Sequence, residues 1–370
     1  MSTLFYSVMG EGRGHAARAR AVVERLREGR RWVLFASHDA LAFLRGCYPE
    51  DTDGIEVREI PGLHFHYSAS GLDNGKTVRE GLAFYRGLRR HVDDLARHFD
   101  RDRPDLAITD FEPLLPRAAR RVGTPVLSLD HQHFLTTYDL SGLPLELRAW
   151  AWMMSWSIRA FGIRQTQTVV SAFYRPQLRR GYEHVTQVGP LLREAIASVR
   201  PSRGPHLLSY LRRATPPSVL DVLADAPLPV KVYGLGKRPP RGAVSFCEID
   251  EQAFVDDLAS CDAVVSAAGN QLMGESIWLG KPVLALPERS HYEQRINAEF
   301  VQRMGAGEQR VLQDLRPEDL AHFLDRRDAY RKRMAETPLT TDGVPQVERV
   351  VEAMLAGHAR RPRAEIREPV

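Results

Sequence analysis

The segment Ser266-Ala267-Ala268-Gly269-Asn270-Gln271-Leu272-Met273-Gly274-Glu275 decides how this chain is read. It follows the apolar run Ala263-Val264-Val265 and passes directly into residues of helical periodicity, so a strand ends in small residues and a helix begins at once. Small side chains let backbone amides approach a ligand, and a helix N-terminus favours negative charge, an arrangement suited to cradling a diphosphate. Glu275 falls a turn and a half into that helix, where its carboxylate can receive two vicinal hydroxyls of a ribose. Beyond it come Leu279-Gly280-Lys281-Pro282, Leu286-Pro287-Glu288 and Glu293-Gln294-Arg295-Ile296-Asn297-Ala298. Glu293 and Gln294 open the next helix at the same sheet edge, placed to hold sugar hydroxyls.

Outward from this unit the same alternation of short apolar runs and helical stretches recurs. In the second half the pattern predicts strands over 207–210, 230–233, 244–247, 263–266 and 282–286, and helices over 251–260, 272–279, 294–304 and 317–326. In the first half it predicts strands over 4–8, 32–36, 55–60, 106–109 and 125–129, and helices over 16–27, 40–44, 78–99 and 114–122. Strand–helix alternation of this kind implies an α/β protein with two doubly wound parallel sheets. A chain of 370 residues suits two domains of about 100–200 residues each. Val188-Gly189-Pro190-Leu191-Leu192 is the linker, because a run that ends in Gly-Pro continues as neither sheet nor helix. Residues 1–189 form the N-terminal unit, 190–340 the C-terminal unit, and 341–370 a closing helix with a tail that frays beyond Gly357.

The first strand ends in Gly10-Glu11-Gly12-Arg13-Gly14-His15, and a helix pattern starts immediately. This is not a dinucleotide fingerprint: the third glycine arrives one residue early, and no acidic residue closes the second strand. Gly12, Arg13 and Gly14 are read as a cleft loop that delivers His15 to the helix start. The fourth strand ends in Thr109-Asp110-Phe111-Glu112-Pro113, and in a doubly wound sheet the first and fourth strands are neighbours at the switch point. His15 and Asp110 therefore face one crevice, and a carboxylate beside an imidazole suits it to take a proton from a hydroxyl. The alternative is that Asp110 only caps the following helix, with Glu112 in its place. The fifth strand runs into Asp130-His131-Gln132-His133, where substrate contact or loop structure is favoured over a metal site for want of a convincing third ligand. The pair His64 and His66 has the same standing.

Hydrophobic residues make up 43% and charged residues 26% of the chain, which excludes disorder and a membrane-embedded body. With no membrane-spanning run and no leader pattern, the expected location is the cytoplasm. Cys47, Cys247 and Cys261 have no disulfide or zinc spacing, and a net charge of +4 carried by arginines on helix faces gives no footprint for nucleic acid. One stretch stands apart: Trp150, Trp152 and Trp156, with Met153 and Met154, are flanked by Arg148, Arg159 and Arg164. Such a helix either lies in a lipid headgroup layer on the inner face of the membrane or packs as a core or dimer helix.

The residues 269–298 resemble the nucleotide-sugar motif of GT-B glycosyltransferases of the MurG-like and UDP-glycosyltransferase groups, in which a glycine, a glutamate, Gly-x-Pro and Asp/Glu-Gln-x-x-Asn-Ala follow in order. Gly10 to His15 resembles their N-terminal glycine-rich loop, and Asp110 falls where the UDP-glycosyltransferases carry the partner of their catalytic histidine. The likeness extends over both halves to about residue 340. The resemblance implies two Rossmann-like domains facing across a cleft, the N-terminal one for the acceptor and the C-terminal one for the donor. It implies inverting, metal-independent transfer from a nucleotide sugar, a substrate and not a cofactor, with His15 as base and Asp110 as its partner. The donor would be held by Ser266, Gly269, Asn270, Gln271, Leu272, Glu275, Glu293 and Gln294. Glu112, Asp130 and His133 would line the acceptor side, and the acceptor would be a lipid or a glycan. The histidine that opens the plant-type motif is absent here, with Ala267 near its place, which shifts phosphate contacts to backbone amides, Ser266 and Asn270. Two rival readings are a nucleotide-sugar 2-epimerase or hydrolase on the same fold, and a non-catalytic nucleotide-sugar-binding protein.

Overall fold

The computed structural model describes residues 1–10, 13–50, 52–63, 67–68, 71–72, 74–160, 165–212 and 215–359. The expectations placed on Gly12, His64, His66, Arg164 and the tail past residue 359 lie outside the described residues.

The first half is built from β1 (Ser2–Val8), β2 (Arg30–Ala36), β3 (Ile55–Glu59), the small antiparallel pair β4 (Tyr67–Ser68) and β5 (Gly71–Leu72), then β6 (Leu106–Asp110), β7 (Val126–Asp130), β8 (Gln167–Ser171) and β9 (Thr186–Val188). Apart from the small pair they form one parallel seven-stranded sheet in the order β3-β2-β1-β6-β7-β8-β9. Its central strands β6 and β7 are buried throughout because helices cover both faces. Those helices are α1 (Arg13–Arg25), α2 (His38–Cys47), α3 (Asn74–Asp102), α4 (Leu114–Val122), α5 (Phe134–Thr137) and α6 (Leu145–Ala160).

The second half repeats the plan with α7 (Glu194–Ser198), β10 (Leu207–Tyr210), α8 (Pro217–Ala224), β11 (Val230–Tyr233), β12 (Val244–Phe246), α9 (Glu251–Ser260), β13 (Ala263–Ser266), α10 (Asn270–Trp278), β14 (Val283–Ala285), α11 (Tyr292–Met304), β15 (Gly307–Gln309), α12 (Pro317–Glu336) and α13 (Val344–Ala359). Its parallel sheet runs β12-β11-β10-β13-β14-β15. Each sheet thus has a switch point, β1 beside β6 in one and β10 beside β13 in the other. Ligands bind outside the carboxyl ends of strands at such points.

Two features of the packing were not foreseen. An apolar cluster is shared between the halves: Phe134, Tyr138, Phe173 and Tyr174 join Leu258, Met273, Ile296 and Val301. Within it Tyr174 stacks on Phe300 at 3.9 Å between ring centroids and its hydroxyl donates to Asn297 Oδ1 at 3.2 Å. Second, α13 returns to the first half and buries Val344, Val347 and Val351 against Leu4, Tyr6 and Val22. Helix α12 also runs ten residues past its expected end of 326, because Tyr330 and Met334 are buried and Arg327 and Arg331 pair with Asp262.

Where the chain leaves the first half and where it returns, the two passes touch backbone to backbone. A Cβ on Gly189 would lie 1.7 Å from Thr341 O, and one on Gly343 would lie 2.3 Å from Gly189 O. Gly189→Ala is expected to lower the unfolding free energy by about 1–3 kcal/mol or more, since a methyl there forces the backbones apart. Gly357→Ala, on α13 with nothing within 4 Å of its Cβ position, is expected to be neutral or to stabilise by up to about 1 kcal/mol. Thermal unfolding of the two variants separates them, and equal melting points would refute the close crossing.

Candidate active site

His15 stands on the first turn of α1 and Asp110 is the last residue of β6, in register with Val8 of β1. His15 Nδ1 lies 2.8 Å from Asp110 Oδ1, with Asp110 fully buried and the His15 side chain 13% exposed. An Arg18 terminal nitrogen also lies 2.9 Å from Nδ1, but it bonds to Asp110 Oδ1 and a carboxylate only accepts, so we assign a ring proton to Nδ1; in the neutral ring Nε2 then faces the Gln132 amide at 3.5 Å. The sequence had shown no reason to single out Arg18. It is buried one turn after His15 and donates to both Asp110 oxygens, Nε to Oδ2 at 3.1 Å and a terminal nitrogen to Oδ1 at 2.8 Å. Burial works against the Arg18 charge, but Asp110 outweighs it and raises the pKa. The spacing of three from His15 on an otherwise Ala- and Val-rich face was the available signal.

Phe111 sits at φ 55°, a left-handed conformation costly for a bulky residue, and it turns the chain between two carboxylates with different tasks. Glu112 is the residue that caps α4: its oxygens accept from Leu114 N at 2.7 Å and Leu115 N at 2.9 Å. It is therefore neither a cleft residue nor a stand-in for Asp110. Burial pushes its carboxyl up to about 7 against those amide bonds.

Asp130 is also withdrawn from the cleft. It accepts from Ser128 Oγ at 2.7 Å and from His133 N at 2.9 Å, and it lies 2.7 Å from His133 Nδ1. Burial alone would raise its carboxyl, but the His133 charge and these hydrogen bonds hold it at about 2. The two form a second carboxylate–imidazole pair at the carboxyl end of β7, next to the first. His131 points elsewhere, with Nδ1 2.9 Å from Ser171 O, so residues 130–133 do not converge on a metal. Among the described residues no group of three or more His, Cys, Asp or Glu does so.

On the other half, the expected donor residues divide. Ser266 Oγ bridges strands, donating to Tyr210 O at 2.7 Å and accepting from Tyr210 N at 3.2 Å, so it is not a phosphate ligand. Gly269 precedes α10 with open space at its Cβ position, and Asn270 Oδ1 is buried without a partner. Gln271 donates to Leu191 O and to Glu275 Oε1, both at 2.9 Å, and Leu272 packs against the apolar cluster shared by the halves. Glu275 is buried and clasped by Arg193, at 3.2 Å from Nε and 2.9 Å from a terminal nitrogen. Arg193 reaches on to Glu251, which also pairs with Arg20 of α1. Glu275 is thus a charge that ties α10 to the linker, and removing it cannot leave the fold untouched. Gln294 accepts from Glu288 N at 2.9 Å and keeps a buried Nε2 without a partner. Glu293 faces the first half: burial would raise its carboxyl, but His131, His291, His15 and Arg18 together lower it.

At the mouth of this cleft lies α6. Trp150 turns inward and stacks on Tyr292 at 5.1 Å between centroids, so it is not on the exposed face with the other two. Trp152 and Trp156 are 62% and 56% exposed and meet edge to face, with Arg159 over Trp156. Glu146 of the same helix pairs with Arg295 of α11 at 2.6 and 2.8 Å.

The cleft between the two sheets thus carries an imidazole–carboxylate pair on one edge and a helix N-terminus on the other. The model of glycosyl transferase family 1 matches residues 2–327. This chain belongs to that family. An uncharacterized glycosyltransferase of Methanosarcina mazei is 26% identical over 331 residues, covering 81% of this chain and 83% of its own. Among solved structures, a UDP-glucosyltransferase from Polygonum tinctorium superposes with a TM-score of 0.69 at 15% identity, over 97% of this chain and 99% of its own. MurG of Acinetobacter baumannii does so with a TM-score of 0.62 at 13% identity, over 95% and 100%. The molecule is a glycosyltransferase of GT-B type.

For this glycosyltransferase, Glu275→Ala is expected to cost about 1.5–3 kcal/mol of unfolding free energy, because Arg193 loses its two hydrogen bonds to Glu275 and keeps only Glu251. The double variant Arg193→Met/Glu275→Leu should recover most of that loss. Urea unfolding measures both, and a single variant as stable as the parent chain would show that the pair ties nothing together.

Proposed function

We propose that the enzyme transfers a sugar from a nucleoside diphosphate donor, in the first instance a UDP-sugar, to an acceptor hydroxyl, with inversion and without a metal. The observation that carries this reading is the His15–Asp110 pair at the β1/β6 switch point, 2.8 Å apart. His15 Nε2 takes the acceptor proton as the acceptor oxygen bonds to the anomeric carbon. The bond from that carbon to the diphosphate oxygen breaks, and the nucleoside diphosphate leaves with the electron pair. Asp110, held in place by the two Arg18 hydrogen bonds, fixes the ring tautomer and stabilises the imidazolium. Attack from the first half and departure toward the second place the two groups on opposite faces of the sugar, which gives inversion.

The leaving charge is met by the backbone amides of Asn270, Gln271 and Leu272 in the first turn of α10, backed by the helix dipole. Ribose hydroxyls would share the Glu275 carboxylate with Arg193 and Gln271, and sugar hydroxyls would meet Glu293 and the unspent Gln294 amide. We infer a lipid or lipid-linked glycan as acceptor from the exposed stripe Trp152, Met153 and Trp156, bordered by Arg148 and Arg159 at the cleft mouth. No helix of the described residues is long and apolar enough to cross a membrane, so the contact proposed is peripheral.

His15→Ala should lower kcat by roughly 10²- to 10⁴-fold with donor affinity unchanged. Steady-state kinetics, after thermal-shift selection among UDP-, GDP-, dTDP- and CDP-sugars, reads this out. Full activity of the variant, or loss of wild-type activity on chelation, would overturn the mechanism. Trp152→Ser with Trp156→Gln should release the protein from anionic vesicles while leaving it folded, since both rings are exposed. Sedimentation with liposomes at low and high salt checks this, and wild-type protein that never sediments would point to a soluble acceptor.

A further inference from the structure

His131 is fully buried, stacked on Phe134 at 4.6 Å between centroids, and its Nδ1 is 2.9 Å from the Ser171 carbonyl. A carbonyl only accepts, so Nδ1 carries a proton, and in the neutral ring Nε2 presents a lone pair. That Nε2 has no hydrogen-bond partner. Across the cleft, 3.9 Å away, is Glu293 Oε1 from α11 of the other half. Burial lowers the pKa of the ring and opposes its protonation, although Glu293 pulls the other way. Two hydrogen-bond acceptors therefore face one another with no donor between them. The same Ser171 carbonyl also receives Asn270 Nδ2 at 3.4 Å, which brings the start of α10 to this point and leaves Asn270 Oδ1 unpartnered.

We propose that His131 is a specificity residue for the transferred sugar, and that with Glu293 it clasps a sugar group presenting two donor hydrogens, either adjacent hydroxyls or a protonated amine. A single hydroxyl has one hydrogen and satisfies one acceptor only; two hydroxyls on neighbouring carbons, or an ammonium, satisfy both. An unpaired buried acceptor is costly, so a sugar lacking the second donor leaves one acceptor stranded and is rejected. The inference rests on the nucleotide-sugar reading above and adds to it a residue of the acceptor-side half that reads the donor.

His131→Asn can keep a donor to Ser171 O and deletes only the second nitrogen, while Glu293→Gln alters the other, partly exposed acceptor without touching the core. Calorimetric titration of the full chain with UDP, UDP-glucose and UDP-glucosamine separates nucleotide from sugar. Both variants should weaken a sugar nucleotide by about tenfold and UDP by less than about twofold. Preference for UDP-glucosamine that Glu293→Gln abolishes identifies the amine, and preference for UDP-glucose identifies the hydroxyl pair. If both folded variants bind UDP and the sugar nucleotides as the parent does, the proposal fails while the donor reading stands. If the wild-type chain binds neither UDP nor GDP, dTDP or CDP, the donor reading fails and takes this inference with it.

Discussion

A parallel sheet delivers the carboxyl ends of all its strands to one edge, and this constraint underlies everything the molecule can do. Parallel strands need helical crossovers, the crossovers cover both faces, and only the edges remain for chemistry. At the β1/β6 switch the adjacent crossovers run to opposite faces, so the chain opens a crevice there. His15 and Asp110 meet because one begins the helix after β1 and the other ends the neighbouring strand. The second sheet opens its own crevice where β13 gives way to α10. A shared apolar cluster and the double crossing at Gly189 and Gly343 hold the two crevices face to face.

The buried charges in this interface follow one rule with one departure. Asp110 is paired with Arg18, Asp130 with His133 and Glu275 with Arg193, each carboxylate receiving several donors. Such satisfaction is what makes a buried charge tolerable, since desolvation is otherwise not recovered. Asp110 and Asp130 each hold an imidazole at a strand end, yet their settings differ. Asp110 is shared with an arginine and leaves His15 at the cleft, whereas Asp130 spends its remaining capacity on its own loop. The departure is the gap between His131 and Glu293, where two acceptors oppose each other. Polar groups left unspent at a cleft mark the place where a ligand completes the network.

Helix α6 joins the halves in a different way. Its inner side carries Trp150 onto Tyr292, next to Glu293, while its outer side carries Trp152 and Trp156 to solvent. Helical periodicity distributes these rings over two faces, so one short segment both closes the cleft mouth and offers an aromatic surface beside it. A run of tryptophans in sequence conceals that division of labour.

What the sequence by itself determined is the architecture and the local chemistry of the strand ends. Short apolar runs such as 207–210 and 263–266 coincide with β10 and β13 because burial on both faces writes a mostly apolar pattern, and 114–122 coincides with α4 because burial on one face writes a helical period. The His15–Asp110 pairing was legible too, since switch-point topology follows from strand order. The strands β9 (Thr-Gln-Val) and β15 (Gly-Glu-Gln) are short and mostly polar, so no apolar run marks them. Only the tertiary structure decided what each polar side chain does with its hydrogen bonds. Ser266 turned to Tyr210, Glu112 to the amides of α4, Glu275 to Arg193 across 82 residues, and Arg18 to Asp110 across 92. A carboxylate or hydroxyl has the same composition whether it waits for a substrate or is already satisfied. Which of these holds depends on donors brought close from distant parts of the chain, and local pattern contains no measure of that distance.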